Sequence, residues 1–315
     1  MSISVVIPVF NELESLPALV DELKINLKDF DFWEIIFVDD GSSDGSTELL
    51  SDICLSKSNY RLIQFHRNYG KSAALSEGFR VAKGDCVITM DADLQDDPSE
   101  IKNLVSKLNE GWDLVSGWKK TRLDPLNKRL PSKIFNFVLR LVTGVKIHDF
   151  NCGLKGYKKA VIKSIEIYGG RHRFIPALAG QKRFKVTEIV VNHRPRQFGE
   201  TKYGGSRFLH GFFDLITILF LNKFTQQPLH LFGSFGIIFF SAGFMVECFI
   251  LYYKYVLLEP FSRHMALLTF GVMLIVIGIQ FFSIGLLGEL MAKANHNQEN
   301  RIKYSKDDNQ LINKD

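Results

Sequence analysis

Cysteine is scarce in this chain. Cys54, Cys86, Cys152 and Cys248 lie scattered through 315 residues, without metal-ligand spacing. This excludes a disulfide framework and a zinc-finger-type centre, and it fits a reducing compartment. Neither the GxGxxG pattern nor the P-loop glycine pattern occurs, which argues against dinucleotide-dependent redox chemistry and nucleoside triphosphate hydrolysis. No internal repeat and no convincing Ser/His/Asp triad is found. The opening MSISVVIPVF lacks the basic leader of a signal peptide and reads as a strand. A formal charge of +5 is too mild to name a partner, and nucleic acid is not expected to be one.

Long apolar runs, by contrast, are present. Hydrophobic residues make up 46% and charged residues 23%, but this average hides a division. Apolar and charged segments alternate up to Gln227, Phe, Ile, Leu, Val and Gly dominate from Pro228 to Met291, and the rest is polar. Two runs, Leu229–Tyr253 and Met265–Met291, each exceed the about 20 helical residues that cross a bilayer core. The Lys254–His264 link is too short for a domain, so a transmembrane hairpin is expected, with both chain ends on one side. Arg207, Lys223, Lys293, Arg301 and Lys303 flank the spans, against Lys254 and Arg263 in the link. This bias favours a cytoplasmic main domain and cytoplasmic termini. His230 and Glu289 lie at span ends, where polar groups are tolerated; Glu247 is the exception within a span, near the far interface or facing the partner helix.

The expected organisation is an α/β domain over 1–205, amphipathic interfacial helices over 206–227, two spans over 228–291 and a disordered polar tail over 292–315. Within the first part, ISVVIPVF, WEIIFVDD, YRLIQF and DCVITMDAD read as strands. Helical patterns separate them, beginning with NELESLPALVDELKINL, whose apolar residues recur at helical spacing. Strand alternating with helix implies a mostly parallel sheet covered on both faces. The polar segments FNE, VDDGSSDGS, HRNYGK and MDADLQ directly follow the strands. They therefore converge on the carboxyl edge, where such sheets bind ligands. After Gly111 the alternation fades. Seven Lys/Arg lie between Lys119 and Arg140 against the single acid Asp124, a basic segment suited to lipid headgroups.

The acidic cluster after the fourth strand raises the main chemical question, because like charges repel unless something positive joins them. Asp91 and Asp93, one residue apart, can meet one divalent cation, with Gln95 adding a neutral oxygen. Mg²⁺ or Mn²⁺ suits such ligands and leaves positions for phosphate and water. Asp96, Asp97 and Ser99 read instead as the N-terminus of the next helix. Asp39 and Asp40 end another strand, where an acid can accept a nucleobase N–H. His148, His172 and His193 read as structural, and Asp149 as a turn residue or an orienting acid.

Taken in order, VVIPVFNE, VDDGSSDGS, NYGKSAALSEGF and DADLQDDP resemble the family-2 inverting glycosyltransferases of GT-A fold. SGWKKTRLDPLNKRLPSKIFNFVLRLVTG, YGGRHRFIPALA and HRPRQFGETKYG narrow the resemblance to polyprenyl-phosphate glycosyltransferases, the dolichol-phosphate mannose synthase relatives, and among them bacterial undecaprenyl-phosphate glucosyltransferases. It implies a nucleotide-sugar pocket of Pro8, Phe10, Asn11, Glu12, Asp39, Asp40, Lys71, Asp91 and Arg196. It also implies Asp91, Asp93 and Gln95 as metal ligands, and Asp93, Arg129 and Lys202 as catalytic residues. Lys119, Arg129 and Ser132 would receive the lipid phosphate. Lys119 stands where dolichol-type members carry arginine, and lysine lacks the bidentate fork, so Arg122 is an alternative. Further implications are a nucleotide sugar, polyprenyl phosphate and the membrane as partners, and a homo-oligomer, a tetramer being one option. The expected reaction moves one hexose, glucose from UDP-glucose first, with GlcNAc, an aminosugar or mannose as alternatives. A processive synthase would carry a Gln-x-x-Arg-Trp motif, which QKRF at Gln181–Phe184 does not match. A non-catalytic scaffold that only binds nucleotide sugars is the reading outside enzymes.

Overall fold

A computed structural model describes residues 2–55, 57–120, 126–195, 227–295, 306–307 and 310–311, without the side chains of 126–134, 293–295 and the last two segments. The chain divides into two units, Met1–Ile216 and Thr217–Asp315.

In the first unit the strands are β1 (Ser2–Val9), β2 (Phe32–Asp39), β3 (Tyr60–Gln64), β4 (Cys86–Thr89), β5 (Leu114–Trp118), β6 (Lys155–Lys158) and β7 (Val186–Val190). They form one sheet in the order β3-β2-β1-β4-β6-β5-β7. β6 runs antiparallel to β4 and β5, and the other pairings are parallel. The helices are α1 (Leu16–Leu27), α2 (Ser46–Leu55), α3 (Lys71–Val81), α4 (Ile101–Asn109), α5 (Leu126–Thr143), α6 (Lys159–Ser164) and α7 (Ile175–Gln181).

Two hydrophobic cores hold the layers together. Ile3, Val5, Ile7 and Val9 of β1 pack with Leu16, Leu19 and Leu23 of α1 and with Leu104 and Leu108 of α4. Val6 joins Ile36, Val38 and Val87 against Ala74, Leu75 and Phe79 of α3 and Val161 of α6. From Val5 to Val9 the strand is therefore apolar at every position rather than at alternate ones. Gly78 lets α3 lie close on β1, because a Cβ there would run into Val6. The expected doubly covered, mostly parallel sheet is the one found.

In the second unit, α8 (Pro228–Tyr255) and α9 (Met265–Asn295) are joined through a 3₁₀ turn at Phe261–His264. Both helices are long and apolar enough to cross a membrane, with mean hydropathies of 2.0 and 2.4. They pack closely through glycines. A Cβ on Gly278 would lie 2.6 Å from the Phe240 nitrogen, and one on Gly243 would lie 2.6 Å from the Gly271 carbonyl oxygen. Small residues at such positions let helix backbones approach where water cannot drive them together. Glu289 accepts a hydrogen bond from the Leu229 N–H at 3.4 Å, satisfying a donor at the start of α8. Glu247 turns its Oε1 toward Gly271, so its carboxyl group faces the partner helix.

Candidate active site

Four loops at the carboxyl edge of the sheet are tied to one another by short polar side chains. After β1, Asn11 adopts a left-handed conformation with φ 53°. Its N–H donates to Ser42 Oγ at 2.9 Å, and its Oδ1 accepts from the Ser43 N–H at 2.8 Å. The Glu12 N–H donates to Ser46 Oγ at 3.0 Å. Pro8, within β1, pairs in register with Val38, and Phe10 follows the strand. These bonds fix the FNE turn against the turn after β2.

Asp39 and Asp40 anchor those turns. Asp39 is fully buried; it accepts from the Ser42 N–H at 3.1 Å and from Thr47 Oγ1. Asp40 accepts from the N–H groups of Tyr69 and Gly70 at 2.6 and 2.9 Å, so it holds the loop that opens α3. Burial raises the Asp40 pKa, opposed by those two N–H bonds. Between the strand and the turn, Gly41 has φ 75°, and a Cβ there would sit 2.6 Å from the Arg67 carbonyl carbon. The aspartates proposed for nucleobase recognition are thus also the groups that shape the loops around it.

The acid pair stands at the end of β4. Asp91 forms an ion pair with Lys71, the first residue of α3. Burial would raise its pKa, but Lys71, helped by Lys119 and Lys155, lowers it to about 2. Asp93 is nearly buried, at 9% exposure, and its Oδ1 accepts from the Gln95 N–H at 3.2 Å. Leu94 between them has φ 58°, a left-handed backbone that costs about 1–3 kcal/mol for an ordinary residue. The turn therefore holds Asp93 and Gln95 in a conformation the chain would not choose alone. Among the described residues no three His, Cys, Asp or Glu side chains group as a metal site. Two carboxylates with phosphate and water completing the shell still suit Mg²⁺ or Mn²⁺, and Asp91 is held in the ionised form such a ligand needs.

Asp96 departs from the sequence-based expectation. It does not cap the next helix; its side chain is 0% exposed and pairs with Lys119 at 2.8 Å. Asp97 supplies the cap, accepting from the Ser99 N–H at 3.0 Å. Asp96 raises the Lys119 pKa against the opposing effect of burial. Lys119, expected to meet the acceptor phosphate, is therefore engaged with Asp96, with only 13% of its side chain exposed. Two further residues were not anticipated. Gly153 packs its backbone on Asp91, whose Oδ2 would lie 2.6 Å from any Cβ there. Lys155, 4% exposed, donates to the Cys152 carbonyl below the acid pair.

The loop after β7 closes against the same turn. The Arg194 N–H donates to the Gln95 carbonyl at 3.0 Å, while its guanidinium bridges Asp97 at 2.8 Å and Glu22 at 2.7 Å. Arg122, Arg196 and Lys202 lie outside the described residues. The side chains of Arg129 and Ser132 do too, although both residues belong to α5, three positions apart and so on one helix face.

The histidines have structural partners. His148 stacks on Trp118 with centroids 4.2 Å apart and pairs with Glu188, and the backbone of His193 forms a β-bridge with that of Asp96. Ser72 Oγ accepts from the backbone N–H of His172 at 3.1 Å and lies 2.9 Å from the ring Nδ1, so the two residues are tied by backbone and side chain alike. Burial, then the Lys71 and Arg173 charges, lowers the His172 pKa from 6.5 to about 3. The folded protein keeps this ring neutral while the unfolded chain takes up a proton. Its contribution to stability is complete above pH 6.5 and declines as pH falls toward about 3. In urea titrations across that window, His172→Asn should flatten the acid-side loss; an unchanged slope would show that His172 does not carry it.

Comparison with known proteins places this geometry. The profile described as "Glycosyl transferase family 2" matches residues 4–166. The chain is 36% identical over 304 residues, 96% of its length and 91% of theirs, to undecaprenyl-phosphate 4-deoxy-4-formamido-L-arabinose transferases of Salmonella choleraesuis (strain SC-B67) and Salmonella newport (strain SL254). Its fold resembles glucosyl-3-phosphoglycerate synthase from Mycobacterium tuberculosis in complex with Mn²⁺ and uridine-diphosphate-glucose. There the TM-score is 0.55 at 21% identity, covering 70% of this chain and 78% of that one. With its polar loops gathered at the carboxyl edge of the sheet and a match to such transferases over nearly its whole length, this chain belongs to glycosyl transferase family 2 and is a glycosyltransferase.

Proposed function

We propose that the protein transfers a single sugar from a nucleotide sugar to polyprenyl phosphate, undecaprenyl phosphate in a bacterial membrane, with inversion at the anomeric carbon. One observation carries this reading: an acid pair at the sheet edge, with Asp91 held ionised by Lys71, belongs to a chain that also holds two helices apolar enough to span a bilayer. The full-length similarity to undecaprenyl-phosphate sugar transferases supports the same acceptor.

Asp91 and Asp93, with Gln95, would hold Mg²⁺ or Mn²⁺, which when bound neutralises charge on the departing diphosphate. The protein's other tasks are to bind and to align. Asn11, Glu12, Asp39, Asp40 and their linked turns shape the nucleotide side, with Pro8 and Phe10 beside them. Arg196 and Lys202 are assigned to the diphosphate, and Arg129 and Ser132 to the lipid phosphate. Because Lys119 is engaged with Asp96, Arg122 is the better candidate for that phosphate. The acceptor needs no general base, since a phosphate monoester with a second pKa of about 6 arrives largely ionised. Attack from the face opposite the diphosphate then inverts the sugar. The catalytic domain and both termini are assigned to the cytoplasmic side, and the protein to a homo-oligomer.

Two donors have support. The motifs resemble those of UDP-glucose enzymes, whereas the relatives named above carry a 4-formamido pentose. Membranes containing the protein should be given undecaprenyl phosphate and labelled UDP-glucose, UDP-GlcNAc, GDP-mannose or the UDP-activated formamido-arabinose. One donor is expected to yield a lipid-soluble product, and EDTA should abolish it until Mg²⁺ or Mn²⁺ is restored. Polymer would indicate a processive synthase. Nucleotide binding without any product would indicate a scaffold, and full activity in metal-free buffer would remove the metal from the scheme.

A further inference from the structure

The Asp91 carboxylate already has a cation. Lys71 reaches it from the first turn of α3, and the pair lies at the mouth of the site, with the two side chains 27% and 36% exposed. The surroundings make this contact hard to share. On the Oδ2 side the Gly153 backbone leaves no room for a side chain. Below lies the buried Lys155, and Lys119 is directed to Asp96. Of the three lysines near Asp91, Lys71 alone combines a direct contact with an exposed position and a flexible four-carbon stem.

We infer that Lys71 is an internal counter-cation that holds Asp91 in the donor-free enzyme, is displaced by the divalent ion, and then binds a phosphate of the incoming nucleotide. This rests on the metal-dependent reading given above and adds an order of binding to it. An ammonium and a divalent ion repel each other and compete for one carboxylate. The ion should therefore bind weakly to the empty enzyme. A diphosphate changes the balance, because it offers Lys71 a second anion within reach of its stem. Metal and nucleotide should then bind with strong mutual reinforcement, each lowering the other's dissociation constant by the same factor.

The test is Mn²⁺ binding to the purified full-length protein, followed by electron paramagnetic resonance with and without UDP. Wild type should bind Mn²⁺ weakly alone and much more tightly with UDP. Lys71→Gln should bind Mn²⁺ about tenfold or more tightly in the absence of nucleotide, because a like charge that competes for the same carboxylate is gone. The same variant should bind UDP about tenfold more weakly at saturating Mn²⁺, the loss of one charge-assisted hydrogen bond. Lys71→Arg retains the cation and should stay close to wild type in donor-free metal affinity. Asp91→Asn should lose Mn²⁺ binding under both conditions. If Lys71→Gln leaves donor-free affinity unchanged or weaker while Asp91→Asn abolishes binding, the counter-cation role is wrong and the metal site stands. If wild type binds no Mn²⁺ even with UDP, both fail. Thermal melting of each variant checks the fold, and Lys71→Arg keeps the comparison decisive should Lys71→Gln prove unstable.

Discussion

Asp93→Asn is expected to lower the rate of sugar transfer by about 10²–10³-fold, the effect of removing one group that stabilises developing charge in an enclosed site. The substitution is close to isosteric. Asp93 Oδ1 accepts from the Gln95 N–H, and an asparagine carbonyl can keep that bond, so the left-handed turn at Leu94 has no reason to open. What disappears is a negative charge at 9% exposure, where a divalent ion would feel it strongly. Initial rates measured over a range of Mn²⁺ concentrations separate the two contributions. Weakened metal affinity shifts the concentration needed, whereas misplaced diphosphate lowers the plateau. A rate within about threefold of wild type, below the range for such groups, would remove Asp93 from the reaction.

The second large effect concerns stability. Asp96→Ala leaves the Lys119 ammonium largely buried without its carboxylate, and loss of one partner of a buried pair costs about 3–5 kcal/mol. At about 2–4 °C per kcal/mol, the melting midpoint should fall by roughly 10 °C. Adding Lys119→Met removes the stranded charge, and a well-packed apolar replacement is often neutral, so the double variant should recover much of the loss. If Asp96→Ala melts with wild type, Lys119 is not held as a structural ion pair and returns as a candidate for the acceptor phosphate. The pair of melts thus decides between two roles for one lysine.

Much of the first half of the sheet was legible in the sequence because its strands are buried on both faces. VVIPVF and IIFV are continuous apolar runs, and each is followed abruptly by polar residues that mark the carboxyl edge. The later strands were not legible. β6 reads KGYK, with two lysines and a glycine, and is a strand only because β4 and β5 flank it. Such a segment gains its conformation from neighbours rather than from its own pattern. Lys155 illustrates the same difficulty, since a lysine in a basic stretch reads as solvated, whereas the sheet buries it at 4% exposure. Asp96 was misread for a related reason. A carboxylate just before a helix favours capping, and nothing local indicates a lysine arriving from the end of β5. Gly153 had a faint signal, a glycine beside a polar turn, but its importance lies in a backbone contact with Asp91 that only the folded chain creates.

The reversed direction of β6 has an evolutionary consequence. Thr89, at the end of β4, lies opposite Lys155, at the start of β6. The chain therefore enters this strand at the carboxyl edge of β4, whereas β4 and β5 leave the sheet there. Lengthening or shortening the connection between α5 and β6 would remodel the rim from a side independent of the turns after β1 and β2. Descendants of one ancestor could thereby diverge at this rim while keeping the turns after β1 and β2 unchanged.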